Sequence, residues 1–588
     1  MKPLPVPSLS ETASKYLNSL KPILSQADYK RTEEIVADFI KPGGVGPDLH
    51  QRLVKRAADQ AKVGKSWLQD WWLDVAYLRG RYPLPINLSC HLLVMDDYID
   101  RTVYTQTQQA ARMIVGSIQW KTMLDQGQIA PELQKKTKLC MNQYRTLFTS
   151  ERVPRRDMDE LVVVPASNTV VVLSENQIFS FELIERGTPL TLDEIDFQLR
   201  WIKEESRKKR AQFPFGIGEF TSLPREDWAD IRNQLEKDPQ NANLLSLIQK
   251  SVLVVSLDNN SPNCYNEQMY YTSAGIQDRW YDKITDFLVF ENSKISVLLE
   301  HTPCDAPTVT YWVDNVIQSE FKLKRKFNHL ASCNLSQPKA FHWNLPLEVA
   351  AKLPKAREAH MAVAKTKKYE MVIFPDWGVS EIQKLKASPD SFMQLSLQLA
   401  FYKMHKCIPA TYESAQTRLF KNGRTEVVRT QSMEVLSFCE TMENPQASLQ
   451  SKYLKFRFAE AAHLKYISDA IVGKGCDRHL FGLRLIAKES GLPEHPIYSD
   501  AGYAAGSHHR LSTSSVPGKT LIGGFCNVVP DGYGCCYLNK EDKLCFSIVS
   551  ETQSDPSSKV DAHLFAKALR ESFNDIRSIL LPPKSANL

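Results

Sequence analysis

The chain has 588 residues, of which 43% are hydrophobic and 24% charged, and its formal net charge is +6. This length exceeds what one hydrophobic core supports, so we expect at least two domains. The slight positive charge, without a dense basic stripe, argues against nucleic-acid binding, and the short basic clusters at 207–210 and 322–326 are expected to be solvated helix faces.

Helical patterns dominate the beginning of the chain. Apolar residues recur at helical spacing through residues 10–24, after Ser8 or Ser10 as a possible N-cap. The segment SWLQDWWLDVAYL, residues 66–78, is dense in tryptophan and leucine. This composition suits a helix buried against a large body.

Two strand pairs are predicted farther along the first half. Apolar β-branched runs flank residues 174–177 and predict a hairpin, and two more strands surround a Glu-Asn turn at 291–292. A helix is predicted between the two pairs, at residues 228–237.

The second half begins after a proline-punctuated stretch at residues 336–354, which is our candidate domain boundary. Ser388 as N-cap and Pro389 at the first helical position predict a helix that should be buried, because its apolar residues go nearly all round. The final helix carries a one-sided packing stripe formed by Phe565, Leu569, Phe573, Ile576 and Leu580. Helices and strands are mixed throughout, which predicts an α/β or α+β class with two lobes.

The 12 cysteines are scattered without a C-x-x-C pair, which is typical of a reduced intracellular protein. We predict no disulfide framework and no metal, since His508 and His509 lack further ligands nearby. The chain has no apolar run of ~18 residues and no signal-peptide core, so no transmembrane segment is predicted. The final residues 585–588, Ser-Ala-Asn-Leu, are similar to a peroxisomal address, with a mitochondrial or cytoplasmic location as the alternative.

His301 ends the apolar, strand-like run of SVLLEHTPCDAP, residues 296–307, and Asp305 follows four residues later. Taken alone, a histidine at a strand end is more often structural than catalytic. The surrounding motifs are what favour catalysis here.

Those motifs are SAGIQDRWYDK upstream of the domain boundary, then TYESAQTRLFKNGRTEVVR, GCDRHLFGLRLIAKE, LSTSSVPGKT and VVPDGYG. With the opening LPVPSL, they resemble the carnitine/choline acyltransferase family from near residue 3 to about residue 580. The resemblance implies an α/β chain with two similarly folded chloramphenicol-acetyltransferase-like lobes and an active-site tunnel at their interface. It predicts an N-terminal helical segment (1–50) packing on the C-terminal lobe, an N-terminal lobe (51–345) with the histidine, and a C-terminal lobe (346–588).

The resemblance also assigns the chemistry. His301 matches the catalytic histidine, and a neutral imidazole is suited to accept the proton of an attacking alcohol near neutral pH. Ser514 matches the donor to the oxyanion, and Ser512 would face the same way if the LSTSS segment is extended. Asp305 matches an acid that pairs with Arg424 and supports the site.

Carnitine is favoured over choline as the alcohol. Carnitine enzymes of the family have Thr after Gly-Arg and Arg before His-Leu, which correspond to Thr425 and Arg478, so a carboxylate would meet an arginine and a hydroxyl. Val427 departs from the pattern, because carnitine enzymes usually carry a second threonine there. The other residues expected at carnitine are Tyr412, Ser414, Ser512 and Phe525, the last as a cation–π partner.

The acyl group is predicted to be of medium length, because Gly523 stands where acetyl-specific enzymes have a blocking methionine, and Gly524 follows it. An acetyl-specific enzyme is the alternative. The lysines that usually meet the 3′-phosphate of CoA are replaced by Val379 and Gln383.

CoA contacts are therefore expected from Lys384, Lys386 and Asp390. Because the two usual lysines are replaced, a further alternative is that the protein is a non-catalytic relative that binds acyl-carnitine or CoA. The expected partners are carnitine and acyl-CoA as substrates of a monomer, with no cofactor.

Overall fold

The computed structural model describes residues 1–328, 335–553, 555 and 557–581. The tail at residues 585–588 lies outside the described residues. Two large β-sheets with helices packed on them make up the described part of the chain, which confirms the predicted α/β class. In that part, no helix has both the length and the apolar character needed to cross a bilayer.

The larger sheet is mixed, and eight of its strands lie within the described ranges. In spatial order they are Lys339–Ala340, Gln177–Glu182, Thr169–Ser174, Leu253–Asp258, Thr285–Phe290, Ile295–Leu299, Cys90–Val94 and Leu521–Gly524. The predicted hairpin is confirmed: Ser174 pairs with Gln177, and both turn residues between them have positive φ, as a two-residue turn requires. The second predicted pair, Thr285–Phe290 with Ile295–Leu299, is also antiparallel.

The smaller sheet comes from the second half of the chain. Its described strands are, in spatial order, Lys367–Phe374, Leu544–Glu551, Tyr533–Asn539, Leu511–Ser515, Thr411–Gln416 and Thr425–Val428. Three short two-stranded sheets also occur, formed by Leu133–Gln134 with Thr137–Lys138, Ser150–Val153 with Glu160–Val163, and Ile184–Glu185 with Thr188–Pro189.

Helices surround both sheets. Those of the first half are Leu9–Leu20, Gln26–Ile40, Val45–Lys62, Gln69–Trp71, Gln106–Asp125, Leu192–Lys209, Arg225–Leu235, Pro239–Lys250, Tyr265–Ser273 and Ala306–Glu320. Those of the second half are Leu347–Ala350, Leu353–Ala364, Val379–Lys384, Pro389–His405, Met433–Glu443, Leu449–Ile471, Asp477–Glu489, Ala501–Ser507 and Ala562–Leu580. A π-helix covers Trp72–Leu78, and 3-10 helices cover Asp96–Tyr98, Asn142–Thr146, Arg210–Gln212, Ile217–Ser222 and Pro496–Tyr498.

The helix Pro389–His405 is built as its sequence predicts. The hydroxyl of Ser388 accepts the amide of Ser391, and every residue from Ser391 to Phe401 is buried. The final helix packs its apolar stripe against this helix, with the ring of Phe573 stacked on that of Phe392.

Two predicted helical features differ in the structure. The basic cluster at 322–326 is largely exposed but follows the end of the helix Ala306–Glu320, so the predicted helix face is wrong there. Arg325 instead turns back to the Glu320 carboxylate at 2.7 Å. In the segment 66–78 the helix begins only at Gln69, and from Trp72 it widens into the π-helix, where the amide of Arg79 bonds to the carbonyl of Asp74.

The N-terminal helices lie against the second half of the chain. Tyr16, Phe39 and Leu53 share a buried cluster with Leu480 and Leu483 of the helix Asp477–Glu489. The first helices therefore border the segment that carries the predicted DRHL motif.

One strand connects the two halves directly. Leu521–Gly524 follows the smaller sheet's strand Leu511–Ser515 in sequence, yet it pairs with Cys90–Val94 at the edge of the larger sheet. Asp314 on the helix Ala306–Glu320 anchors its approach, because one carboxylate oxygen accepts the amides of Lys519 and Thr520 at 3.0 and 2.8 Å and the Thr520 hydroxyl at 2.7 Å.

Replacing Asp314 with alanine should lower the free energy of unfolding by about 3 kcal/mol, because two backbone donors and a hydroxyl lose a charged acceptor in a buried place. Urea unfolding followed by tryptophan fluorescence measures this loss. The exposed Asp542 offers a matched control, and Asp542→Ala should leave the midpoint unchanged. Equal stability of the two variants would show that the contacts of Asp314 with Lys519 and Thr520 contribute little to the free energy of unfolding.

Candidate active site

His301 lies directly between the strand Ile295–Leu299 and the helix Ala306–Glu320. Its side chain is 24% exposed, and its ring stacks on Tyr77 with a centroid distance of 5.5 Å and an interplanar angle of 28°. The hydroxyl of Tyr77 lies 3.4 Å from Nδ1 of His301. Since Nδ1 faces Tyr77, Nε2 is the nitrogen left to meet a substrate.

Arg424 fixes the backbone at His301. Its guanidinium donates to the carbonyls of Thr302 and His301 at 2.8 and 3.1 Å, and its Nε lies 3.0 Å from Oδ1 of Asp305. Gln143 holds the other side of this acid: its amide donates to Oδ2 of Asp305 at 2.9 Å, and its oxygen accepts the Asp305 backbone amide at 2.8 Å. The structure thus brings the predicted Asp305–Arg424 pair together behind the histidine.

These charges act on the protonation of His301. Burial lowers the pKa of His301 below its ordinary value, with Asp305 acting to raise it and Arg424 to lower it. The net direction is downward, so the imidazole is neutral at neutral pH. Burial acts to raise the pKa of Asp305, but the charge of Arg424 and the hydrogen bonds from Gln143 and Arg424 outweigh it and keep this carboxyl ionised.

A second cluster centres on Arg478. Its Nε donates to the carbonyl of Thr425 at 2.8 Å, and its Nη2 donates to the hydroxyls of Tyr412 and Thr425 at 3.1 and 3.2 Å. The guanidinium lies 3.8 Å from the ring centre of Trp72. Arg478 therefore contacts two other residues predicted for the alcohol substrate.

A cavity of about 490 Å³ opens at the junction of the two sheets. The predicted site residues that line it are His301, Tyr412, Ser414, Thr425, Ser512, Ser514, Gly523, Gly524 and Phe525. Asp305, Arg424 and Arg478 lie behind its wall and touch residues that line it. The strand Leu511–Ser515 also lends the cavity Thr513, whose hydroxyl donates to the carbonyl of Tyr412 at 3.0 Å.

The residues predicted for CoA lie away from this cavity. Lys384 and Lys386 are exposed at the end of the helix Val379–Lys384, and neither lines the cavity. Asp390 is partly buried and accepts the hydroxyl of Tyr537 at 2.7 Å. Val379, at one of the usual lysine positions, is buried at the start of the short helix.

The two predicted acyl-pocket glycines line the cavity, but neighbouring side chains fill the space beside them. A Cβ on Gly523 would overlap a methyl group of Val516, and a Cβ on Gly524 would overlap the ring of His91. The absence of a side chain at Gly523 is thus partly compensated by Val516.

One cluster among the described residues has the composition of a metal site: Asp390, Glu413 and His463 place possible ligand atoms within 4.8 Å of one another. Both ring nitrogens of His463 are already engaged, with Glu413 at 2.7 Å and with the hydroxyl of Ser391 at 2.8 Å. Burial raises the pKa of Glu413 to about 7. This cluster is a buried hydrogen-bond network that supports the strand Thr411–Gln416.

Comparison with known proteins gives a match to the family model described as Choline/Carnitine o-acyltransferase over residues 4–571. The chain belongs to this family. The sequence-based resemblance is confirmed, and the protein is an acyltransferase. Carnitine O-acetyltransferase from Columba livia is 34% identical over 99% of this chain and 94% of its own length.

Two further relatives differ in the substrates that their names state. Peroxisomal carnitine O-octanoyltransferase from Bos taurus is 32% identical over 99% of this chain and 96% of its own length. Choline O-acetyltransferase from Homo sapiens is 32% identical over 99% of this chain and 79% of its own length. The family is thus established, while identity alone does not separate these substrates.

Sequence reasoning missed several residues that line this acyltransferase site or support it from behind. Tyr77 and Trp72 belong to a segment interpreted only as a packed helix, although its density of aromatic residues was visible. Gln143 had no recognisable motif. Val516 stands directly after the LSTSS motif, and its bulk beside Gly523 depends on a strand crossing that the sequence does not display.

The charges around His301 predict that two variants shift its pKa in opposite directions. Diethyl pyrocarbonate reacts with neutral imidazole, so its rate at His301, followed by peptide mass spectrometry from pH 4 to 8, should have a midpoint below pH 6.5. Asp305→Asn removes a group that raises the pKa and should move the midpoint down. Arg424→Gln removes a group that lowers the pKa and should move it up. A shift in the same direction in both variants would contradict this electrostatic account.

Proposed function

We propose that the protein reversibly transfers medium-chain acyl groups between CoA and the hydroxyl of carnitine, with His301 as general base. The observation that carries this proposal is that one cavity joins a neutral histidine to the arginine–hydroxyl cluster of Arg478, Thr425 and Tyr412. A carboxylate placed at that cluster finds a cation and hydroxyls, which suits carnitine, whereas choline has no carboxylate to place there.

The proton transfer follows from the geometry at His301. Nε2 accepts the proton of the carnitine hydroxyl as its oxygen attacks the thioester carbonyl. The carbon–sulfur bond then breaks, and the imidazolium returns the proton to the CoA sulfur. Stacking on Tyr77 and the fixed backbone carbonyl keep the ring in one orientation throughout.

The developing oxyanion needs a donor on the opposite side of the cavity. We assign this role to the hydroxyl of Ser514, and the role of contacting carnitine to Ser512, Ser414 and the ring of Phe525. Lys384 and Lys386 are proposed to meet the phosphates of CoA, so that their joint replacement by alanine should raise the KM for acyl-CoA with kcat unchanged.

The test is acyl transfer to carnitine from acyl-CoAs of two, eight and sixteen carbons. We expect the fastest turnover with eight carbons, since glycine replaces the blocking methionine at position 523 and Val516 compensates for it only in part. We also expect a loss of about 10³-fold in kcat for His301→Ala. His508→Ala is the matched control, because His508 is exposed, contacts Asp531 and lies outside the cavity wall.

The outcomes separate the alternatives. Fastest turnover with acetyl-CoA would show that the enzyme is acetyl-specific, and Val516 would then be the residue that blocks the acyl pocket. Binding of acyl-CoA without any transfer would indicate a non-catalytic relative. Equal losses in His301→Ala and His508→Ala would remove His301 from the mechanism.

Arg478→Gln should raise the KM for carnitine about 30-fold, because a charge-assisted contact to the carboxylate is lost, and should leave kcat/KM for choline little changed. Steady-state kinetics with both alcohols measure this. Arg484→Gln, on the same helix but paired with Glu494 at the surface, is the control and should behave as wild type. Equal effects on both alcohols would mean that Arg478 supports the wall and does not recognise the carboxylate.

We also infer import into peroxisomes. The inference is supported by the similarity of residues 585–588 to a peroxisomal address and by the printed name of the bovine relative. A fluorescent fusion at the N-terminus should coincide with a peroxisomal marker and should disperse when residues 585–588 are deleted. A mitochondrial or uniformly cytoplasmic signal for the full chain would contradict it.

A further inference from the structure

A pair of buried polar side chains lines the same cavity without a partner. Ser89 is 3% exposed and His91 is fully buried, and both lie in the cavity wall that includes His301. Among the residues that the structure describes, none accepts or donates a hydrogen bond to the Ser89 hydroxyl or to either ring nitrogen of His91. Buried polar groups in proteins are nearly always paired, so three such atoms at one place point to a ligand.

The backbone makes room for this pair. His91 lies opposite Gly524 in the antiparallel pairing of Cys90–Val94 with Leu521–Gly524. Any side chain at position 524 would overlap the imidazole, so the glycine and the histidine depend on each other. Ser89 directly precedes the strand Cys90–Val94, two residues before His91, and both residues line the cavity.

The other side of the same strand pair is apolar. Gly523 lies opposite Leu92, and the space next to it is occupied by Val516 and Cys536. The cavity is thus apolar beside Gly523, whereas beside Gly524 it meets the imidazole of His91, which we call the polar wall together with Ser89. A purely hydrocarbon ligand would satisfy the first wall and leave the second without hydrogen bonds.

The chemistry of the polar wall is that of neutral groups. Burial lowers the pKa of His91 to about 3, so the imidazole offers one donor and one acceptor and no charge. A serine hydroxyl also donates and accepts. Such a pair fits a hydroxyl or carbonyl oxygen, whereas a carboxylate would demand a cation.

We propose that Ser89 and His91 form a subsite for an oxygen carried by the acyl group, so that the preferred acyl donors are hydroxyacyl- or oxoacyl-CoAs. The inference rests on the proposed function. In that function, the carboxylate of carnitine is assigned to Arg478 and its hydroxyl to His301. The acyl chain is assigned to the wall at Gly523 and Gly524, and His91 lies opposite Gly524, so an oxygen on that chain is the substrate group placed nearest to the pair.

The test compares kcat/KM for octanoyl-CoA, 3-hydroxyoctanoyl-CoA and 8-hydroxyoctanoyl-CoA with saturating carnitine. The wild-type protein should prefer one hydroxylated donor over octanoyl-CoA by about 10-fold, as expected for two neutral hydrogen bonds in a buried site. His91→Leu should abolish this preference, and Ser89→Ala should reduce it about threefold. Because the preference is a ratio for one enzyme sample, partial misfolding of a variant does not distort it.

His405→Leu is the matched control, since His405 lies outside the cavity and contacts Tyr533. It should keep the wild-type preference. Equal kcat/KM for all three donors in the wild type, or a preference that survives His91→Leu, would overturn the subsite while leaving the carnitine acyltransferase function intact. No transfer from any donor would overturn the proposed function, and the subsite with it.

Discussion

The ion pair between Arg424 and Asp305 is the contact on which the rest of the site depends. Arg424 directly precedes the strand Thr425–Val428 of the smaller sheet, and Asp305 comes soon after the strand Ile295–Leu299 of the larger sheet. Two buried charges offset the cost of their desolvation only when their geometry is good and their remaining hydrogen bonds are satisfied. Gln143 and the carbonyls of His301 and Thr302 supply those hydrogen bonds, so the pair fixes the histidine and joins the sheets at one point.

The two halves of the chain are joined a second time by the strand Leu521–Gly524. It leaves the smaller sheet and extends the larger one, so the cavity is enclosed by both sheets and is not a groove between separable bodies. The same strand carries both glycines of the predicted acyl pocket. Any displacement of one sheet relative to the other would therefore alter the cavity at His301 and at the glycines together.

The sequence predicted the parts of this architecture that depend on local pattern. The hairpin at 174–177 and the cap at Ser388 follow from turn and capping chemistry that a few neighbouring residues determine. The resemblance placed Asp305 beside Arg424, although 119 positions separate them. Val516, His91 and Ser89 could not be placed, because their roles depend on a cross-strand register that local pattern does not encode.

The π-helix at Trp72–Leu78 makes this part of the chain unusually sensitive to the loss or gain of a residue. Its wider turn brings Trp72 and Tyr77 to a ring distance of 6.2 Å, and these rings contact Arg478 and the His301–Arg424 pair, respectively. A π-helix is in effect an α-helix with an inserted residue, and each residue adds about 100° of rotation. Deletion of a single residue in this stretch would rotate Trp72 or Tyr77 away from the arginine that its ring contacts. Many single substitutions in the stretch would leave both ring–arginine contacts in place. Evolution of this segment should therefore tolerate changes of residue far better than changes of length.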